Sequence, residues 1–185
     1  MKRLLLILIL TFSFQSLAKA DDISDFQIEG MSVGDSLLDY FTEKEIIEAR
    51  DESHKGKEFI SKTLRSKNSS IYELYQVVYK RLDKKKELHG IVGVISFPNN
   101  INKCKKQMKK ISSELSTLFP FTKKKDWGKY DISKGHYFPI TFTFKDNSRA
   151  MVACFNWSKK SGINDNLKIS LYSSEYRKYL AKQKQ

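Results

Sequence analysis

Between Ile101 and Leu118 the apolar residues Ile101, Cys104, Met108, Ile111, Leu115 and Leu118 recur at alternating spacings of three and four. That is the period of one face of an α-helix, and it predicts an amphipathic helix over the whole stretch. Pro98-Asn99-Asn100 leads into it and Phe119-Pro120 ends it, since proline cannot continue a helix. The segments downstream follow a different period. Phe138, Ile140, Phe142 and Phe144 alternate with Pro139, Thr141, Thr143 and Lys145, and Leu167, Ile169 and Leu171 alternate likewise. A strongly one-sided helix among strand-type segments has to lay its stripe on a sheet, so the chain reads as α+β.

The other strands follow from composition and turns. Ile71 to Lys80 (IYELYQVVYK) and Leu88 to Phe97 (LHGIVGVISF) are β-branched and aromatic, with a polar turn at Leu82–Lys86 between them. Gly90 and Gly93 inside the second predict a bulge or the close approach of another backbone. Asp146-Asn147-Ser148 turns the chain into a strand from Arg149 to Trp157, and 158–166 is a second polar turn. Strands joined by short turns pair antiparallel. The expectation is a roughly five-stranded antiparallel sheet over 71–173 with the long helix on one face, preceded by a short helical N-terminal segment. Within that segment Ser32 is read as an N-cap with Asp35 three residues on, and Val33, Leu37, Leu38 and Phe41 as its buried stripe. Thr42 and Glu45 then stand at capping-box spacing before Ile46 and Ile47. Residues 53–70 read as a polar linker, a loop or weak helix anchored by Phe59, Ile60 and Leu64. Residues 121–135 read as a loop, and 174–185 as a basic C-terminal tail, either a short helix or frayed.

The first twenty residues have their own logic. Lys2 and Arg3 precede an apolar run from Leu4 that weakens through Phe12 and Phe14, and Ala18-Lys19-Ala20 offers small residues at −3 and −1 before Asp21. This is the layout of a secretory signal peptide cleaved after Ala20, and the run falls short of the ~20 residues that span a bilayer. No later stretch is apolar enough to cross a membrane, so the mature chain is expected to be periplasmic or secreted and free of a transmembrane segment.

Charge is divided along the chain. From Asp21 to Glu52 eleven acids face only Lys44 and Arg50, a net −9, whereas Ser53 to Gln185 holds 29 basic and 10 acidic residues, a net +19. Either the acidic head docks on the basic body or each part faces a different partner. Of the 34 basic residues 28 are lysine, which argues against phosphate or nucleic-acid readout built on the arginine fork. Nucleic acid is therefore not expected as a partner. An anionic envelope component or an acidic protein fits an exported chain better.

Cys104 lies on the helix stripe and Cys154 in the middle of a predicted strand. In an oxidising compartment a bridge between them is the simplest outcome; two separately buried thiols are the alternative, and a redox pair would show Cys-x-x-Cys, which is absent. Motifs for nucleophilic hydrolysis, zinc or phosphate loops do not occur, so no catalytic residue, metal or cofactor is expected. His54, His89 and His136 have no partner at metal-ligand spacing. Asp35 and Asp39 at i, i+4 suit a solvated helix face better than an acid–base pair. The suggestive surface is basic and aromatic. Lys123, Lys124, Lys125, Trp127, Lys129 and Tyr130 fall together, and with Lys103, Lys106 and Lys110 of the helix they form the expected contact patch.

The head, Asp25-Phe26-Gln27-Ile28-Glu29-Gly30-Met31-Ser32-Val33-Gly34-Asp35-Ser36-Leu37-Leu38-Asp39-Tyr40-Phe41 after a signal peptide, resembles small uncharacterised exported proteins of marine alphaproteobacteria. The layout of the Cys104 helix and the strand block is similar too. The resemblance implies export and no named activity. The sequence thus points to an exported, non-enzymatic binding or interaction module. The alternative is a small exported hydrolase whose site is assembled only in three dimensions, which a cleft gathering His89 or His136 with carboxylates of perturbed pKa would favour.

Overall fold

The structure, a computed structural model, describes residues 22–52, 58–65 and 71–183. The expected signal peptide with its expected cleavage position, and His54, lie outside the described residues. Among the described residues three α-helices, α1 (Glu43–Glu48), α2 (Ile101–Leu118) and α3 (Ser174–Lys182), accompany a nine-stranded antiparallel sheet. Its strands are β1 (Arg50–Asp51), β2 (Phe59–Arg65), β3 (Leu74–Lys80), β4 (Gly90–Ser96), β5 (Lys123–Asp126), β6 (Tyr130–Ile132), β7 (Gly135–Thr143), β8 (Arg149–Trp157) and β9 (Asn166–Tyr172). They run in the order β1-β2-β3-β4-β9-β8-β7-β5, with β6 also on β7. Two meanders, β1 to β4 and β7 to β9, are joined where β9 pairs with β4. Helix α2 carries the chain between them.

Register fixes which side chains share a face. Val152 stands opposite Ile140 and Ile169, Leu171 opposite Ile91, and Ile91 opposite Val77. This inner face receives α2, whose Cys104, Met108, Ser112 and Leu115 are buried. Asn100 caps the helix by accepting the amide of Lys103 at 3.0 Å. A disulfide ties Cys104 to Cys154 at the centre of β8, and both residues are fully buried.

The acidic head completes the same inner layer, and it does so with apolar residues. Ile28, Met31, Leu37 and Ile46 are each at most 2 % exposed. Phe26 meets Phe119 at the end of α2, edge to face at 5.5 Å. Backbone bonds stitch the head to the turn before β4: Gly34 N–H to Leu88 O at 2.9 Å, Leu88 N–H to Asp35 O at 2.8 Å, Leu37 N–H to Lys86 O at 3.1 Å. Ion pairs Lys86–Glu43 and Lys62–Asp51, both at 3.4 Å, join head and body.

Several sequence expectations change here. The sheet has nine strands rather than five. Residues 59–65 of the expected linker are β2, and the expected loop at 121–135 contains β5 and β6. The helix expected from Ser32 is instead a turn, a β-bridge and a 3-10 turn at Leu37–Asp39. Asp35 closes that turn by accepting the Ser32 amide at 2.7 Å and the Tyr40 hydroxyl at 2.6 Å, so it makes no pair with Asp39. The Thr42–Glu45 capping box forms as read. At Gly93 the close neighbour is a side chain: an added Cβ would stand 2.4 Å from Cε1 of Tyr72.

Candidate functional site: the outer face of the sheet

Alternation along the strands puts a second set of residues on the face away from α2. Helix α3 covers one end of it, where Tyr176 and Tyr179 pack on Phe59, and Tyr176 on Tyr172. Towards the other end the face carries aromatic rings in sequence. Trp127 meets Tyr130 at 6.0 Å, Tyr130 meets Tyr137 at 5.8 Å, Tyr137 stacks on Phe155 at 5.0 Å, and Phe155 stacks on Trp157 at 5.6 Å. The last two pairs are within 14° of parallel. Cross-strand and i, i+2 neighbours on one face of a sheet meet in this way. The indole N–H of Trp127 donates to Thr141 Oγ1 at 3.0 Å, which anchors the start of the run to β7.

Cations sit among these rings. Lys125 Nζ lies 3.5 Å from the centre of the Trp127 ring, and Lys168 Nζ lies 5.1 Å from that of Phe155. Lys168 donates to Gln76 Oε1 at 3.1 Å, and among the described residues no carboxylate pairs with it. Burial holds its ammonium below the usual lysine range, with a weak opposing pull from Glu52. Between the rings and β3 the small residues Val92, Ala153 and Ser170 are at most 4 % exposed, whereas Met151, Phe155, Tyr137 and Lys168 around them are half-exposed. Small buried residues walled by longer half-exposed ones make this a trough.

The expected contact patch is divided by the sheet. Lys123 and Lys125 pair in register with Thr143 and Thr141 and belong, with Trp127 and Tyr130, to the outer side. Lys124 turns inward and donates to Ser116 Oγ of α2 at 2.8 Å. Lys103, Lys106 and Lys110 are exposed on α2, which lies on the inner side. Lys129 is paired with Asp131 at 3.1 Å. The structure therefore brings Lys123, Lys125, Trp127 and Tyr130 to the trough and leaves the helix lysines on another surface. Tyr137, Phe155, Trp157 and Lys168 were not singled out from sequence. Their signal was available: Phe155 and Trp157 occupy the strand phase opposite to Cys154, where a sheet facing only water would place polar residues.

The second concave feature is a cleft of about 740 Å³ lined by Glu58, Lys80, Arg81, Asp83, Glu87, His89 and Glu175. It does gather His89 with carboxylates. Ser173 Oγ at 3.1 Å and Glu175 Oε2 at 3.7 Å, however, both face the same ring nitrogen, Nδ1. A hydrolytic relay needs the hydroxyl on one nitrogen and the acid on the other. Ser173 is the N-cap of α3, accepting the Tyr176 amide. The hydrogen bond from Lys80 at 2.6 Å holds the Glu175 carboxyl below its usual range. Asp83 is held low by the Glu87 and Lys85 amides it accepts. Carboxyls kept ionised in this way are poor proton donors, and the cluster clamps α3 to β3. His136 packs edge-on against Phe138. Among the described residues no group of three His, Cys, Asp or Glu side chains has metal-binding geometry, and no helix is long and apolar enough to cross a membrane.

Comparison with protein-family models, with curated proteins and with solved structures finds no match.

Proposed function

We propose that this chain is an exported, non-enzymatic binding module that holds an anionic polysaccharide on the outer face of its sheet. One observation carries the reading: an unbroken run of aromatic rings, Trp127-Tyr130-Tyr137-Phe155-Trp157, with Lys125 and Lys168 set against it. Rings with an apolar body and ammonium groups beside them complement a polymer of sugar rings that carries negative charge. The disulfide and the leader-like N-terminus agree with a compartment outside the cytoplasm, where such polymers occur. The His89 cleft supports no relay, which weighs against the hydrolase alternative.

The test is co-sedimentation of the mature protein with carboxylated, sulfated and neutral polysaccharides at two salt concentrations. Retention on the acidic polymers that falls with salt, and falls again in Lys125→Gln/Tyr130→Ala, is the expected result. Equal retention on neutral polymers, or none on any polymer, would overturn it. Preparation from an expressing Gram-negative host is expected to yield a chain beginning at Asp21, and an intact Met1 terminus in the periplasmic fraction would contradict export by cleavage.

A further inference from the structure

Around Phe155 the trough contains polar groups whose hydrogen-bonding capacity the described residues do not meet. Trp157 Nε1 and Asn166 Oδ1 are both buried and have no partner among the described residues. The other end of the Asn166 amide is committed, since Nδ2 donates to Asn164 O at 3.0 Å. That fixes the amide with its oxygen as the unused end. Asn166 stands opposite Phe155 in the β8–β9 register, Trp157 stacks on Phe155, and Lys168 places its ammonium near the same ring. An unmet acceptor, an unmet donor and a cation without a paired carboxylate among the described residues thus stand around one aromatic side chain. Native proteins satisfy nearly all buried polar atoms, so such a grouping calls for a ligand.

The chemistry of the three groups narrows what it takes. A sugar hydroxyl both donates and accepts, so neighbouring ring hydroxyls satisfy an amide oxygen and an indole N–H together. The single ammonium needs one negative charge. A phosphate is the poorer fit, because strong phosphate sites use a guanidinium fork or a row of backbone N–H groups, and this charge is a point charge. We propose that Lys168, Trp157 and Asn166 form a subsite for a hexuronate unit. Its carboxylate pairs with Lys168, its hydroxyls lie between Asn166 Oδ1 and Trp157 Nε1, and its ring lies along Phe155. Trp157, Phe155 and Lys168 are themselves half-exposed, so rotation about their side-chain bonds opens the unmet atoms to the ligand. A carboxylate placed beside Lys168 also restores the favourable field that burial removes.

This inference rests on the reading of the outer face as a polysaccharide-binding surface, and the experiment separates the two. Mature protein is titrated calorimetrically with oligogalacturonate and with the same oligomer methyl-esterified, a chain of equal length without its charge. The acid form is expected to bind at least tenfold more tightly. Lys168→Met is expected to abolish that preference without lowering the melting temperature, since it keeps the apolar stem and removes a desolvated charge. Lys168→Arg keeps the charge and is expected to retain part of the preference, which guards against a variant that fails to fold. Trp157→Phe, lacking the indole N–H, is expected to weaken binding severalfold. Equal binding of acid and ester overturns both readings, whereas a preference that survives in Lys168→Met overturns the subsite and leaves the broader reading standing. Binding to sulfated but not carboxylated chains does the same. Binding to no acidic polymer removes both.

Discussion

Opening the Cys104–Cys154 bridge is expected to remove about 4 kcal/mol of stability while leaving the fold in place. The cysteines are 50 residues apart in sequence. For a loop of that size the chain-entropy relation gives about 14 cal/mol/K, or about 4 kcal/mol at 25 °C. The folded side changes little, because both cysteines are fully buried between α2 and β8 and two thiols occupy nearly the same volume. The loss therefore falls on the unfolded chain, which gains freedom once uncrosslinked. Domains of this size hold about 5–15 kcal/mol, so the reduced protein stays folded in water. With an m-value of about 2 kcal/mol/M the urea midpoint drops by about 2 M, and m itself rises because the unlinked chain exposes more surface. Urea unfolding followed by tryptophan fluorescence, with and without reductant, measures both. Cys104→Ala/Cys154→Ala gives a control that reductant cannot affect further. A loss below about 1 kcal/mol with unchanged m would refute the loop-entropy reasoning.

Other perturbations separate the forces that hold the head, the sheet and α3. Leu37→Ala, at a fully buried position in the head, is expected to cost about 2–5 kcal/mol in denaturant unfolding, whereas Glu43→Gln at the ion pair with Lys86 costs less than about 1 kcal/mol. The reverse ranking, or a head that detaches in 1 M salt as judged by proteolysis, would restore charge as the main docking force. Gly93→Ala places a methyl group 2.4 Å from the Tyr72 ring and 3.1 Å from Ile28, and is expected to cost about 1–3 kcal/mol by overpacking; an unchanged melting temperature would show that Tyr72 moves aside freely. Asp83 and Glu175 hold their carboxyls below the usual range, so their contribution is complete above about pH 5, clear of the unfolded-state values, and is lost as pH falls through the lowered ones. Both are largely solvated, so each is worth under about 1 kcal/mol. Thermal melts between pH 7 and pH 3 are expected to fall less steeply in Asp83→Asn/Glu175→Gln, and an identical slope would contradict this.

The residue pattern made parts of the fold plain and hid others for identifiable reasons. The bounds of α2 follow from its stripe and its flanking Asn100 and Pro120, β7 and β9 from strict alternation, and β8 from the polar turns that flank it. Strand β2 escaped notice because Lys62 stands in its apolar phase between Ile60 and Leu64. The structure accommodates that lysine with Asp51 and the Ala49 carbonyl, at 3.4 and 3.2 Å, and both partners come from the head. No window around Lys62 contains them. Strand β5 has no apolar period at all, since Lys123, Lys124, Lys125 and Asp126 are all exposed; it is a strand because β7 offers an edge, and its lysines protect that edge from further pairing. The Ser32 to Phe41 stretch has a helical apolar spacing, but Gly34 at φ +99° and the local bonds of Asp35 select a turn.

The site was hidden for a related reason. A net charge of +13 counts every lysine equally, whereas the structure gives them different physical situations. Lys62 and Lys86 pin the head through ion pairs, Lys105 and Lys124 lay their ammonium groups over Phe138 and Phe142, and Lys80 clamps α3 through Glu175. Lys168 combines partial burial with an amide as its hydrogen-bond partner and, among the described residues, no paired carboxylate. That combination depends on register. Only when β9 pairs with β4 on one side and β8 on the other do Gln76, Phe155 and Lys168 share one face, at sequence separations that no local pattern spans. Desolvating an ammonium is unfavourable, and among the described residues no ion pair offsets it beyond the pull of Glu52. The trough therefore exposes a charge requirement that a carboxylated ligand can meet, while the far more numerous solvated lysines contribute mainly long-range attraction that salt screens.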